Sequence, residues 1–383
     1  MHPKPKLEVL MMFGNNQTQK AGENSQLVQA GTVNIFNGID EKRAREICSE
    51  TYAIARRDFT ADAYACANAR VQQFENSLIP KMLQIETALS AFSDPAFQFL
   101  LASAQRTAAA TERNADYDML SELLICRIEK GQSRKTRAGI SRAVEIVDKI
   151  DDDALCALTV CHAVNKLVPK ANGCKEGLKV LSDLFGKLIY MELPLGMDWI
   201  DHLDILDTVR INTFGKPKKI GEYYPDKLKG YSAAGIDTRT DNYQKALELL
   251  SSINLNSSVL IANELLPNYV RLPVVNRAKI KQLNRSSTKI VNGVVTEVFE
   301  RLSENDIAVL ENIWGLYTTD TTIVQNVITA FMSEWDSYPS LKMLHTWWDS
   351  LPCVFDITHV GTVLAHTNAR RCDKRIPELP LAT

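Results

Sequence analysis

The chain has 383 residues, of which 45% are hydrophobic and 23% are charged. This composition supplies ordinary hydrophobic cores for two or three domains and excludes a globally disordered protein. The 44 basic and 46 acidic residues give a formal net charge of -2, which excludes a general electrostatic attraction to nucleic acid or to anionic membranes.

The sequence also bears on the compartment. No run approaches the roughly 18 apolar residues of a membrane span, and the apolar stretch at residues 9–13 is too short for the core of a signal peptide. The eight cysteines are dispersed, unlike those of a disulfide scaffold. We therefore expect reduced thiols, no membrane span and a cytoplasmic location.

A charge-poor segment rich in Gly, Asn and Gln covers residues 14–38, after residues 1–13, which we predict to be a flexible tail. Polar and apolar residues tend to alternate between its glycines, which predicts very short strands joined by tight turns. Such strands cannot bury a core alone, so we expect them to stack on themselves or on copies from other chains. The residues that would carry this assembly are Gly14, Asn16, Gly22, Asn24, Val28, Gln29, Gly31 and Ile35.

Helical signals begin at Asp40, a good N-cap. Unbroken periodicity to residue 79 predicts one helix of about 60 Å, at about 1.5 Å per residue. Ser93-Asp94-Pro95 predicts another helix start. Further periodic runs cover about 115–130, 134–149, 152–168 and 174–192, so we predict a helical domain over residues 39–210.

Residues 211–240 are rich in Gly, Pro and Lys, which predicts a long loop or an inter-domain connection. A second helical domain is predicted over residues 241–383. In it, Ser303 and Asp306 have the spacing of a capping box. Helices are predicted near 320–335 and 338–349, then a strand at 353–358 and a final helix at 358–369. The predicted fold class is mainly α: a multi-helical body with a short N-terminal β-repeat.

Common catalytic motifs are absent from the sequence: it has no phosphate-binding loop, dinucleotide fingerprint, HExxH pair or GxSxG elbow. His359 and His366 are weak catalytic candidates, because two histidines seven residues apart share one helix face and could position a ligand or a catalytic pair. We expect a protein that is not an enzyme, with no cofactor.

Two kinds of cluster raise the question of a metal. Wide spacing argues against zinc in one of them, for which we expect buried thiols and a capping or core histidine; its members are Cys156, Cys161, His162 and Cys174. Carboxylates at helical spacing could bind a cation but are more typical of solvated helix surfaces. One such cluster is Asp116, Asp118 and Glu122, and the other is Asp201, Asp204 and Asp207 together with His202. We predict no metal site.

Basic residues interleaved with tyrosines could bind nucleic acid, since lysines neutralise phosphates and tyrosines stack on bases. The alternative is a mobile, soluble loop, which we favour. The residues concerned are Lys216, Lys218, Lys219, Tyr223 and Tyr224. A second basic run extends from Arg271 to Lys289.

Several segments resemble known families. The repeat at 22–31, the junction at 37–40 and the ending at 355–365 resemble an uncharacterised family of bacterial cytosolic proteins, which brings no established catalytic residues. Residues 302–317 and 355–361 resemble parts of a winged-helix module. The N-terminal segment is similar to motifs that precede domains of bacterial immune and conflict proteins, and 27–31 is similar to the core of amyloid-type signalling motifs.

The residue patterns and these resemblances together lead to three hypotheses. The first is a non-enzymatic assembly or adaptor protein of antiviral defence, in which residues 14–38 mediate oligomerisation or pair with a partner protein and the helical body senses or transmits. The second is a nucleic-acid-binding regulator that uses the basic loop and the winged-helix-like module. The third is an unfamiliar hydrolase or nuclease with a site around His359 and His366.

Overall fold

The computed structural model describes residues 39–55, 60–86, 88–131, 133–212, 214–291 and 294–379. The predicted flexible tail and the predicted assembly segment at 14–38 lie outside these ranges. Within them the protein is mainly α-helical, as predicted. No helix of the described ranges combines the length and the apolarity that crossing a bilayer requires.

In the described ranges, eight α-helices precede the strand β1. They are α1 (Glu41–Ala55), α2 (Ala61–Leu83), α3 (Pro95–Ala110), α4 (Asn114–Lys130), α5 (Arg134–Ile146), α6 (Asp152–Lys166), α7 (Cys174–Leu188) and α8 (Asp198–Ile205). The later helices are α9 (Ile220–Lys227), α10 (Lys229–Ser232), α11 (Asp241–Ser252), α12 (Glu304–Gly315), α13 (Thr321–Asp336), α14 (Pro339–Asp349) and α15 (His359–Cys372).

The strands are short. They are β1 (Val209–Asn212), β2 (Ile236–Asp237), β3 (Ile261–Ala262), β4 (Tyr269–Arg271), β5 (Asn284–Val291), β6 (Val294–Arg301) and β7 (Val354–Ile357). Strands β1 and β7 pair, β4 lies between β2 and β3, and β5 pairs with β6, all antiparallel. Short 3₁₀ segments lie at Ala88–Ser93, Ser257–Val259 and Arg277–Gln282.

Local capping chemistry starts several helices where the sequence predicts. The Asp94 side chain accepts a hydrogen bond from the N–H of Ala96 at 2.9 Å, and Pro95 is the first residue of α3. Ser303 and Asp306 form the predicted capping box at the start of α12. These bonds satisfy amide groups that the first turn of a helix leaves without intrahelical partners.

The single long helix predicted from Asp40 to residue 79 is wrong. Helix α1 ends at Ala55 and α2 begins at Ala61, after Thr60 in an extended conformation with ψ of 162°. Both helices pack against α3. The break therefore lets two apolar faces reach one core, which a straight helix could not do.

Two main hydrophobic cores organise the chain. The larger core contains buried residues from α1 to α9 and from α13, α14 and α15. The smaller core lies among α11, α12, β2 and the 3₁₀ segment Arg277–Gln282. The segments that resemble a winged helix are divided between these cores, because α12 packs with α11 whereas β7 and α15 join the larger core. They do not form one module.

The pairing of β1 with β7 fixes the position of α15. Val209 lies opposite Ile357, and Thr358 then caps α15 by accepting from the N–H of Gly361 at 3.1 Å. A Cβ at Gly361 would lie 2.0 Å from the carbonyl oxygen of Thr208, so only glycine permits this approach. Helix α15 consequently packs against α4, α5 and α6.

The prediction of a long loop over residues 211–240 is also wrong, because β1, α9, α10 and β2 occupy much of this range. Ile220 and Tyr224 on α9 are fully buried. A Cβ at Gly230 would lie 1.8 Å from the carbonyl oxygen of Val274. This glycine therefore permits close backbone packing and does not mark a flexible linker.

Candidate functional site

Two histidines from distant parts of the chain meet inside the larger core. His162 on α6 and His366 on α15 are buried, and 3.2 Å separates Nε2 of His162 from Nδ1 of His366. Their ring planes are 84° apart. The sequence predicts that His366 shares a helix face with His359 and that His162 is a core residue, but no sequence signal indicated that His162 and His366 pair.

The surrounding hydrogen bonds determine the tautomers of this pair. The carbonyl oxygen of Pro377 can only accept, and it lies 3.0 Å from Nε2 of His366, which therefore carries a proton. Nδ1 of His366 then accepts from the Nε2–H of His162. The remaining lone pair, on Nδ1 of His162, has no hydrogen-bond partner among the residues that the structure describes.

Burial keeps both rings neutral at pH 7. The pKa of His162 is lowered to about 3, mainly by burial and to a lesser extent by electrostatic repulsion from His366, Lys166 and Lys227. Burial also lowers the pKa of His366, although its hydrogen bond to the carbonyl of Pro377 opposes this shift. The pair therefore supplies dipoles and hydrogen-bonding atoms, not positive charge.

A third histidine lies near the pair. His359, the first residue of α15, packs against α5 at Gly139, where an added Cβ would lie 2.3 Å from Cδ2 of the His359 ring. Burial lowers the pKa of His359, and the nearby charge of Lys135 adds to this effect. His359 is therefore also expected to be neutral at pH 7.

These three histidines line a cleft of about 380 Å³, which we call the histidine cleft. Its volume falls within the roughly 300–1,000 Å³ of typical small-molecule sites. It is lined by Ser133, Lys135, Thr136, His162, Lys166, Leu167, His359, Thr362, His366, Pro377 and Leu379. Both of the weak catalytic candidates predicted from the sequence thus lie in one cleft, together with His162.

The charge of the histidine cleft is one-sided. Lys135 and Lys166 are exposed, and no carboxylate is found among the described residues that line the cleft. The first turn of α5 contributes Lys135 and Thr136, and the first turns of α15 contribute His359 and Thr362. Helix N-termini carry a partial positive charge and add to the potential of the lysines, whereas the C-terminal end of α6 at Lys166 and Leu167 carries a partial negative charge that opposes it.

The cysteines of the sequence-predicted cluster are free, buried thiols, as expected. Cys156 donates to the carbonyl oxygen of Leu188 at 3.3 Å, and burial raises its pKa to about 11. Burial raises the pKa of Cys174 to about 12 and raises that of Cys161 as well. Across the described ranges, no three His, Cys, Asp or Glu side chains are grouped so that they could hold a metal ion.

Both acidic clusters are engaged in ion pairs. Asp116 is buried and accepts hydrogen bonds from Thr111 and Arg113. Lys81 lies 3.3 Å from both Asp118 and Glu122. In the second cluster, Asp204 and Asp207 pair with Arg210, Asp207 pairs also with Arg142, and His202 lies 3.8 Å from Asp151. These carboxylates therefore take part in surface ion pairs or in contacts between helices.

The basic loop is not arranged for base stacking. Tyr224 is fully buried against Trp335, with 4.3 Å between ring centroids, so the alternative in which it stacks on a base is wrong. Tyr223 packs against Trp348 and is half-buried. Lys216, Lys218 and Lys219 are exposed, and Lys218 lies 3.6 Å from Asp226. Of the second basic run, Arg271 is fully buried and cannot contact nucleic acid.

Comparison with known proteins gives one match. No curated protein and no solved structure matches the chain significantly. A protein-family model matches residues 38–378, which is most of the chain and nearly all of the described part. The chain belongs to that uncharacterised family, in agreement with the resemblance of its C-terminal ending, whereas the repeat at 22–31 lies outside the matched residues.

Proposed function

We propose that the helical body binds a small anionic molecule in the histidine cleft. The observation that carries this proposal is the charge of the lining: Lys135 and Lys166 lie at a cleft whose other polar walls are neutral histidines, hydroxyls and helix N-termini. Phosphate and carboxylate groups are the anions that such a combination of lysines and helix amides binds in proteins.

The histidines favour binding over acid–base catalysis. A general base works best when its pKa lies near the operating pH, and burial lowers the pKa of His162 to about 3. Both ring nitrogens of His366 are engaged in hydrogen bonds, and the low pKa of His162 makes its unpartnered Nδ1 a weak base, so both rings are poor proton acceptors for a substrate. This supports a sensing body more than it supports the hydrolase or nuclease hypothesis.

Assembly through residues 14–38 remains a second proposed function. It is supported by the composition of that charge-poor repeat, which directly precedes α1, and by its similarity to motifs of bacterial immune and conflict proteins. In this proposal the body binds the anion and the N-terminal segment mediates oligomerisation or contact with a partner protein, as an antiviral defence protein would require.

The anion site can be tested with inorganic phosphate as the probe. We expect phosphate to raise the thermal midpoint of the full chain, because a ligand that binds only the folded state stabilises it. The double substitution Lys135→Gln and Lys166→Gln should remove this shift, whereas Lys245→Gln, an exposed lysine on α11, should retain it. Sodium chloride at the same ionic strength controls for general salt effects. Equal shifts in the wild-type protein and the double variant would overturn the proposal.

A further inference from the structure

The histidine cleft continues into a second cavity. A groove of about 560 Å³ adjoins it and shares Lys166, Leu167 and Pro377 with it. The groove lies between the loop that follows α6 and the chain segment that leads into the 3₁₀ segment Arg277–Gln282. Lys166, the last residue of α6, thus stands at the junction of the two cavities.

The groove differs from the cleft in its chemistry. Most of the residues that line it are apolar, and we call it the apolar groove; the partly exposed ones include Leu167, Val168, Ala171, Pro273 and Leu283. Its charged side chains are Lys166, Lys170 and Lys279 on one hand and Glu176 on the other. The groove therefore offers contact area to an apolar group, and the sum of its side-chain charges is positive.

We propose that the ligand of the histidine cleft carries an apolar body that lies in the apolar groove, while its anionic head lies beside Lys135 and Lys166. This inference rests on the proposed anion-binding function and names the class of ligand. The shared chemistry is an anion joined to an apolar group of small-molecule size. A nucleotide, whose base is the body, and an alkyl or acyl phosphate, whose chain is the body, both have it.

Two features of the apolar groove explain why the apolar body of the ligand should strengthen binding. Removing apolar surface from water is favourable in rough proportion to its area, so a head group alone would leave this contribution unused. Asn172 and Gln282 place amide groups at the same groove. Amides donate and accept hydrogen bonds, so they fit the edge of a heterocyclic base better than they fit a hydrocarbon chain.

Three phosphate monoesters distinguish these ligands by calorimetric titration of the full chain. Ribose 5-phosphate has the head without an apolar body, adenosine 5′-monophosphate adds a base, and octyl phosphate below its micelle concentration adds a chain. We expect one of the last two to bind at least tenfold more tightly than ribose 5-phosphate. Tighter binding of adenosine 5′-monophosphate indicates a base in the groove, and tighter binding of octyl phosphate indicates a chain.

A substitution that fills the groove tests the location. Gln282 is exposed, so Gln282→Trp should leave the fold intact, which circular dichroism can check. We expect it to reduce the tenfold advantage to less than threefold and to preserve the thermal shift caused by inorganic phosphate. The matched control is Gln244→Trp on the exposed side of α11, which should change neither quantity.

The possible negative results distinguish a failure of this inference from a failure of the proposed anion site. If inorganic phosphate stabilises the chain through Lys135 and Lys166 but all three esters bind equally, the anion site stands and the apolar body is refuted. If the tenfold tighter binding survives Gln282→Trp, the apolar body of the ligand lies outside the apolar groove and the inference is refuted. If neither phosphate nor any ester binds, the proposed function fails, and this inference fails with it.

Discussion

The imidazole of His162 donates a hydrogen bond to that of His366, although 204 residues separate them in the chain. Pro377 sets the direction of this bond, because its carbonyl oxygen accepts from the opposite nitrogen of His366. The arrangement requires two neutral rings. Protonation of Nδ1 on His366 would place two N–H groups face to face, so the pair couples the folded state to pH.

We expect the free energy of unfolding to fall as the pH falls from about 6.5 towards about 3, the pKa of buried His162. In that window the unfolded chain binds a proton that the folded chain excludes, so acid favours unfolding. One such proton contributes a slope of up to about 1.4 kcal/mol per pH unit. Urea denaturation at pH 5 to 7.5 measures this slope, which His162→Gln should reduce. Parallel slopes in the two proteins would show that the pair is not responsible.

Gly139 allows the ring of His359 to lie against α5. Gly139→Ala should displace that ring and cost about 1–3 kcal/mol through overpacking, which outweighs the gain in helix propensity. The His359 imidazole signal in an NMR spectrum and the midpoint of chemical denaturation measure the two effects.

Gly186→Ala is the matched control for Gly139→Ala, because Gly186 lies on helix α7 and an added Cβ meets no atom within 4 Å. It should stabilise the protein by up to about 1 kcal/mol. A neutral or stabilising Gly139→Ala with an unchanged His359 signal would refute the proposed contact.

Glu264 contacts the first residues of α7 and the buried Arg271 of β4. Its carboxylate accepts from the N–H groups of Cys174 and Lys175 at the start of α7 and lies 3.9 Å from the fully buried Arg271. Glu264→Ala should destabilise the protein by about 1–2 kcal/mol, the usual effect of losing a helix cap, as measured by urea denaturation. Glu248→Ala, at an exposed position of α11, should stay within about 0.5 kcal/mol of the wild type. A Glu264→Ala loss no larger than that of the control would contradict the cap.

Removal of residues 1–38 should shift the protein to a smaller species in light scattering, because the predicted short strands of 14–38 would no longer stack. Helix α1 begins after this segment, so the body should keep its helical circular dichroism. An unchanged molar mass would refute assembly through the segment, while the anion site would remain unaffected.

We expect no duplex DNA binding at physiological salt through Lys216, Lys218 and Lys219. Tyr224 is buried and cannot stack, and Asp226 lies near Lys218. Fluorescence anisotropy with labelled DNA over a salt series is the measurement. Salt-dependent binding that disappears when the three lysines are changed to Glu would instead favour the nucleic-acid-binding regulator.

Much of the helical fold could be predicted from local chemistry. The start of α3 at Asp94 and Pro95 and the capping box of Ser303 follow from hydrogen bonds within one turn, which the nearest few residues determine. The wrong predictions are also local in origin: an Ala-rich pattern did not reveal the extended conformation of Thr60, which precedes α2. Gly and Pro between 211 and 240 suggested a loop where Gly230 in fact allows close packing.

The sequence by itself therefore determined the helical class, most helix positions, the buried thiols and the shared face of His359 and His366. Only the tertiary structure decided that His162 joins His366 and that Lys135 and Lys166 face the same cleft. The reason is physical. Capping and periodicity depend on neighbours within a few residues, whereas the cleft depends on the antiparallel pairing of β1 with β7, which brings α15 against α5 and α6.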